Sequence, residues 1–190
     1  MDAMTATGLM TAQEFLDLPP DESVYRRELI DGEIVVSAGS WMHGGAQGNI
    51  HFALSSWHRA APGRGRAGMP IAVLLDEHNV FIPDVEWYRE GRVPGRTDPM
   101  PYPMPDLVVE VRSPSTWRND IGVKKAYYER HGAAELWLVD TAADVILAFR
   151  RSSPEAPHFD VSIELAAGET LTSPLLPGFA VAVAEIFGER

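Results

Sequence analysis

Two carboxylates close extended apolar runs in this chain: Asp84 in Val80-Phe-Ile-Pro-Asp-Val-Glu-Trp-Tyr88 and Glu110 in Asp106-Leu-Val-Val-Glu-Val111. An unpaired ion among β-branched residues costs several kcal/mol, roughly, or takes up a proton. Two such acids therefore point to a shared compensating cation. They lie 26 residues apart, so a hairpin-like excursion can set their strands side by side and let both carboxylates converge. The chain has no cysteine, which leaves histidine, carboxylate and carbonyl as ligands. Hard oxygen donors favour Mg2+ or Mn2+.

Lysine is the third component. Of 16 basic residues only Lys124 and Lys125 are lysines. In a chain that uses arginine wherever either would serve, a lysine is expected to do something specific to lysine. A compact ammonium can polarise a metal-bound water or meet a developing oxyanion as a point charge, which a forked guanidinium does less well. The plainer alternative is two solvated lysines on a helix face.

Composition bounds the rest. A chain of 190 residues and 20.9 kDa, 45 % hydrophobic and 23 % charged, suits one globular domain spanning 1–190, with 1–9 expected to be flexible. No apolar run is long enough to cross a bilayer, and the start Met1-Asp-Ala-Met-Thr lacks signal-peptide character, so a cytoplasmic protein without a membrane partner is expected. The formal charge of −11 argues against broad, nonspecific attraction to polyanions. Between Arg89 and Arg130, however, eight basic residues face six acids, so the candidate site is less acidic than the whole.

The elements that must position these groups follow from spacing. Thr11-Ala-Gln-Glu14 has the form of a capping box and predicts a short helix over Thr11 to Leu18, ended by Pro19-Pro20. Tyr25 to Ile30 and Glu33 to Ser37 flank Asp31-Gly32, a hairpin signal. Ile50, Leu54 and Trp57 predict a helix from His43 to Ala60. Ala67 to Leu75 and Asn79 to Tyr88 read as an antiparallel pair, and the proline-rich stretch Glu90 to Pro105 as a long loop. Leu107 to Val111, a helix over Arg118 to His131 ended by Gly132, and Glu135 to Asp140 form a strand–helix–strand unit with a parallel crossover. Val145 to Arg150 and Phe159 to Leu165 continue as strands, and Val183 to Phe187 as a terminal helical turn. The fold class is α/β, an α+β arrangement around a mixed sheet.

This order of elements, with Pro83-Asp84 and Glu110-Val-Arg112, resembles the PD-(D/E)xK nuclease superfamily and its restriction-endonuclease-like core. Tyr25-Arg-Arg-Glu-Leu-Ile-Asp-Gly-Glu33, Pro105-Asp-Leu-Val-Val-Glu-Val-Arg-Ser-Pro-Ser-Thr116, Asp120-Ile-Gly-Val-Lys124 with Tyr128, and Glu135-Leu-Trp-Leu-Val-Asp140 are similar to the Uma-type family of restriction endonucleases. The resemblance implies Asp84, Glu110 and Glu28 as ligands of Mg2+ or Mn2+, with Val111 beside them. It implies Lys124 as the motif lysine, His43 as a further catalytic candidate, DNA as substrate and a homodimer as the assembly. The superfamily lysine usually stands two residues after the second acid, where this chain has Arg112, so Lys124 and Arg112 are both candidates for its role. Plainer readings are pairing of Glu28 with Arg26 or Arg27, a capping role for His43, core packing for Tyr128, a strand-entry role for Asp106 and a helix cap at Asp120. Two other functions fit the same residues: a nuclease-fold binding module without catalysis, and a phosphoesterase acting on RNA or nucleotides.

Overall fold

The computed structural model describes residues 8–21 and 26–188. Tyr25 and most of the stretch 1–9 lie outside them. Thr11 caps α1 (Ala12–Leu16) through the expected reciprocal bonds with Glu14. β1 (Arg26–Ile30) and β2 (Glu33–Ser37) then pair antiparallel around Asp31 and Gly32, whose φ values of 50° and 76° give the tight two-residue turn that Asp-Gly favours. The long helix α2 (Trp41–Arg59) starts two residues earlier than its apolar spacing predicts, because the Ser40 hydroxyl accepts from the His43 amide.

The stretch expected as one hairpin from Ala67 to Tyr88 is divided between two sheets. β4 (Val73–Asp76) pairs with β5 (Asn79–Phe81), while β3 (Arg66–Gly68) pairs with β6 (Val85–Tyr88). Pro70 and Pro83 lie at the two gaps. Neither has an N–H to donate to a ladder, and the chain changes sheet at each. Asp84 occupies the second gap, between the end of one sheet and the start of the other.

β7 (Leu107–Val111) is buried throughout and pairs antiparallel with β6 and parallel with β8 (Glu135–Asp140). The crossover joining them is not the single helix predicted. It runs as α3 (Trp117–Asn119), a π-helical turn at Asp120–Lys124 and α4 (Lys125–Arg130), with Gly132 at φ 86° after its end. β9 (Val145–Arg150) and β10 (Val161–Leu165) complete a six-stranded sheet in the order β10-β9-β8-β7-β6-β3. A four-stranded sheet follows the order β2-β1-β5-β4. β11 (Thr170–Thr172) and β12 (Ala180–Ala182), which the sequence pattern did not suggest, form a small ribbon ahead of α5 (Val183–Phe187).

Strand alternation sorts the core into two halves. Leu107, Val109 and Val111 of β7 join Ile50 and Leu54 of α2 and Val183 and Ile186 of α5. Val108 joins Phe81, Tyr128, Leu136 and Leu138 in the other half. Glu110 shares the parity of Val108, so its side chain emerges on the face that the crossover covers.

Candidate active site

Four elements deliver buried charge to the junction of the two larger sheets. The gap before β6 supplies Asp84 and β7 supplies Glu110, exposed 0 % and 1 %. β1 supplies Arg26 and Glu28, two residues apart and therefore on one face. The π turn supplies Asp120 and Lys124, four residues apart with side chains 3.5 Å from each other. The wider turn of a π segment redirects one helical residue without ending the helix, a device frequent at functional sites.

Lys124 is the hub. Its Nζ lies 2.6 Å from Glu110 Oε1 and 2.9 Å from Glu28 Oε1, and the side chain is buried. Burial works against its charge, but Glu110, Glu28 and Asp120 outweigh it and raise its pKa, so the ammonium persists across the accessible pH range. The solvated-lysine alternative fails for Lys124. Lys125 instead turns toward the rings of Phe149 and Phe159.

The acids respond to the same enclosure. Burial pushes Glu110 up to about 8, with Lys124 opposing and the neighbouring carboxylates adding to the rise. Burial also lifts Asp120 to about 6. Tyr128 donates a very short hydrogen bond to Glu110, so its hydroxyl holds the acid and not the lysine. Glu28 Oε1 additionally accepts from the Ile82 amide at 2.7 Å.

Asp84 has its own set of partners. Its Oδ1 accepts from Arg26 Nη1 at 2.6 Å and lies 3.2 Å from His43 Nε2, while Oδ2 accepts from the Val111 amide at 2.7 Å. Burial would raise this carboxyl, but His43 and Arg26 hold it below its ordinary range. Burial would lower His43, but Asp84 raises it overall. His43 also meets Ser113 through Nδ1 at 3.3 Å, and one turn along α2 Gln47 donates to the Asp84 carbonyl at 2.8 Å.

The Arg112 side chain is not brought into this cluster, although its backbone meets His43. Its Nη1 donates to both Asp140 oxygens, at 2.8 and 2.9 Å, and the guanidinium lies over the Trp117 ring. The guanidinium therefore does not join Lys124, because β7 and β8 run parallel and place Asp140 within its reach at the strand ends. Arg112 thus covers one face of the Trp117 ring. Asp106 binds Arg89 and Arg92.

The metal expectation can be tested on the donor set. Asp84, Glu110 and Glu28 with the Val111 carbonyl are the hard oxygen donors that suit Mg2+ or Mn2+. Among the described residues, however, no three of His, Asp and Glu stand at ligand spacing. The carboxylates are drawn to Arg26 and Lys124, so the donors fit by chemistry in an arrangement compensated by fixed cations.

The family model described as "Uma2: Putative restriction endonuclease" matches residues 12–184. The chain belongs to the Uma2 family. Among solved structures, a putative nuclease belonging to DUF820 from Anabaena variabilis ATCC 29413 superposes with a TM-score of 0.77 at 18 % identity. The likeness covers 94 % of this chain and 97 % of that one, and it shows a shared fold. No curated protein matches. No helix among the described residues is long and apolar enough to cross a membrane.

Sequence reasoning missed three members of this Uma2 cluster. Asp120 read as a helix cap, although its four-residue spacing to Lys124 carried the signal. Gln47 stands four residues after His43, the same spacing on α2. Arg26 shares a face with Glu28, but nothing in the local sequence distinguishes it from Arg27, which instead donates to the Pro19 carbonyl.

Proposed function

We propose that this protein is a divalent-metal-dependent endonuclease that hydrolyses DNA phosphodiester bonds at the Asp84–Glu110–Lys124 cluster. The observation that carries the reading is a fully buried ammonium shared by two acids from different sheets, beside a third acid held by arginine and histidine. A structural ion pair needs one acid per cation. A surplus of buried acids costs stability and suits a site that handles positive charge and protons.

Asp84, Glu110, the Val111 carbonyl and Glu28 would hold the ion. Mg2+ or Mn2+, when bound, would supply Lewis-acid neutralisation of the phosphodiester charge. Lys124 stays protonated, so it orients the attacking water or meets the phosphate as a donor and does not act as the base. Glu110, lifted to about 8 by burial, holds a proton at neutral pH in the metal-free cluster and would release it on taking up the ion, while Tyr128 fixes its orientation through Oε1. His43 and Gln47 position Asp84 from α2. Arg112 is left outside the reaction as the clamp on Asp140.

Nicking of supercoiled plasmid with Mg2+ or Mn2+, comparing wild type with Asp84→Asn, Glu110→Gln and Lys124→Met, tests this reading. Metal-dependent nicking lost in all three supports it; nicking retained by the variants refutes the site. The closed, cation-compensated cluster favours a second reading, a nuclease-fold binding module. Duplex binding by an inactive wild type would select that alternative.

A further inference from the structure

The outer side of α2 carries the two most exposed large apolar side chains among the described residues, Trp41 at 92 % and Phe52 at 73 %. Positions 41, 45, 48 and 52 fall on one helical stripe, so Gly45 and Gly48 lie between the two rings. Glycine inside a helix costs about 1 kcal/mol relative to alanine. A Cβ added at Gly44, Gly45 or Gly48 would meet nothing within 4 Å, so the chain's own packing does not call for glycine there. The stripe has a ring at each end and a low centre.

That profile is complementary to itself when reversed. In an antiparallel pair of α2 helices with the two-fold axis between Ala46 and Gln47, Trp41 lies against the partner's Phe52 and Gly45 against the partner's Gly48. Beside Phe52 runs a groove of about 460 Å³ walled by Ala53, Trp57, Phe179 and Val181. Trp41 of the same chain stands 11 residues back along the helix, about 16 Å away at 1.5 Å rise per residue, and cannot fill it. A second copy's Trp41 can.

Buried aromatics cover about 150–250 Å² each, so four of them remove roughly 500–800 Å² at these exposures. The groove walls and glycine backbone they cover add to this, toward the ~1,200 Å² of a stable interface.

We propose that the outer face of α2 is the interface of an isologous homodimer, in which each Trp41 seats in the groove beside the partner's Phe52. The opposite side of the same helix carries His43 and Gln47, so this interface fixes the spacing of two clusters across one helix pair. The proposal does not depend on the phosphodiester reading.

Sedimentation equilibrium of the full chain without nucleic acid tests it. Wild type is expected to be a dimer, and Trp41→Arg and Phe52→Arg are each expected to raise the dissociation constant about 100-fold, as hot-spot losses do. Both side chains are exposed in the monomer, so circular dichroism should be unchanged. Because the chain contains no cysteine, Gly45→Cys mixed with Gly48→Cys should form an oxidised cross-link that neither variant forms as readily alone. A wild type monomeric at about 100 µM overturns the proposal, and quenching of Trp41 by single-stranded DNA would then assign the face to nucleic acid. A dimer indifferent to both arginine variants, or cross-linking without the mixed-pair preference, also overturns it.

Discussion

Glu86 should destabilise this protein at neutral pH, and Glu86→Gln should relieve the cost. The side chain is fully buried on β6, with Gly68 of β3 as its pairing partner, and neither carboxyl oxygen has a hydrogen-bond partner among the described residues. Burial, reinforced by Glu110 and Asp84, pushes its pKa up from 4.5 to about 9. The folded state then holds a proton that the unfolded chain has released. Stability from this group is complete below the unfolded pKa and falls as pH rises toward the folded one. By pH 7 the loss extends over about 2.5 pH units at ~1.36 kcal/mol each, or about 3 kcal/mol. Glutamine matches the neutral acid in shape and never ionises. Urea unfolding in EDTA at one fixed protein concentration, at pH 5 and pH 7, should show the variant more stable by up to about 3 kcal/mol at pH 7 and by less than about 1 kcal/mol at pH 5. Equal stability at pH 7, or a gain that does not shrink at pH 5, would refute the reasoning.

Tyr128→Phe removes the hydroxyl donor to Glu110 and leaves that acid to Lys124, with an expected loss of about 1–3 kcal/mol in urea unfolding and a fall in nicking of roughly tenfold. Arg112→Ala should keep nicking within about threefold and cost about 1 kcal/mol or less, since its partner-facing side chain is one-third exposed. Binding of Mg2+ at pH 7 should release close to one proton, because Glu110 at about 8 is mostly protonated there. Calorimetric titration in two buffers of different ionisation enthalpy measures that release, and a buffer-independent heat would contradict it.

Much of this arrangement was legible in the sequence where local chemistry decides it. The Thr11–Glu14 box, the Asp31-Gly32 turn and the buried run at β7 act through neighbours a few residues away, and each appears as expected. Asp84 and Glu110 were legible as buried, compensated charges because a carboxylate in an apolar run conflicts with its surroundings and must find partners. Features set by distant contacts were not. The switch of sheets at Pro83 depends on which strand offers an edge, and the π turn at Asp120–Lys124 on acids that approach from β1 and β7. The place of Arg112 depends on Asp140, 28 residues away across a parallel pair.

Charge balance links these observations. Asp84, Glu110, Glu28 and Asp120 are four acids facing two fixed cations, Arg26 and Lys124, in a space almost closed to water. With all acids ionised and His43 neutral the deficit is two charges, the charge of one divalent cation. Without such an ion a low-dielectric cluster must recover balance by taking up protons, and the two groups whose pKa values rise to about 8 and about 6 are Glu110 and Asp120, both in contact with Lys124. A purely structural cluster would be more stable with fewer acids, since replacing buried ions with apolar groups is often neutral or favourable. The surplus is accounted for if positive charge enters the site from outside. Lys124 then has to be a lysine held at full charge by its neighbours, able to shift its contacts among three carboxylates as the charge around it changes.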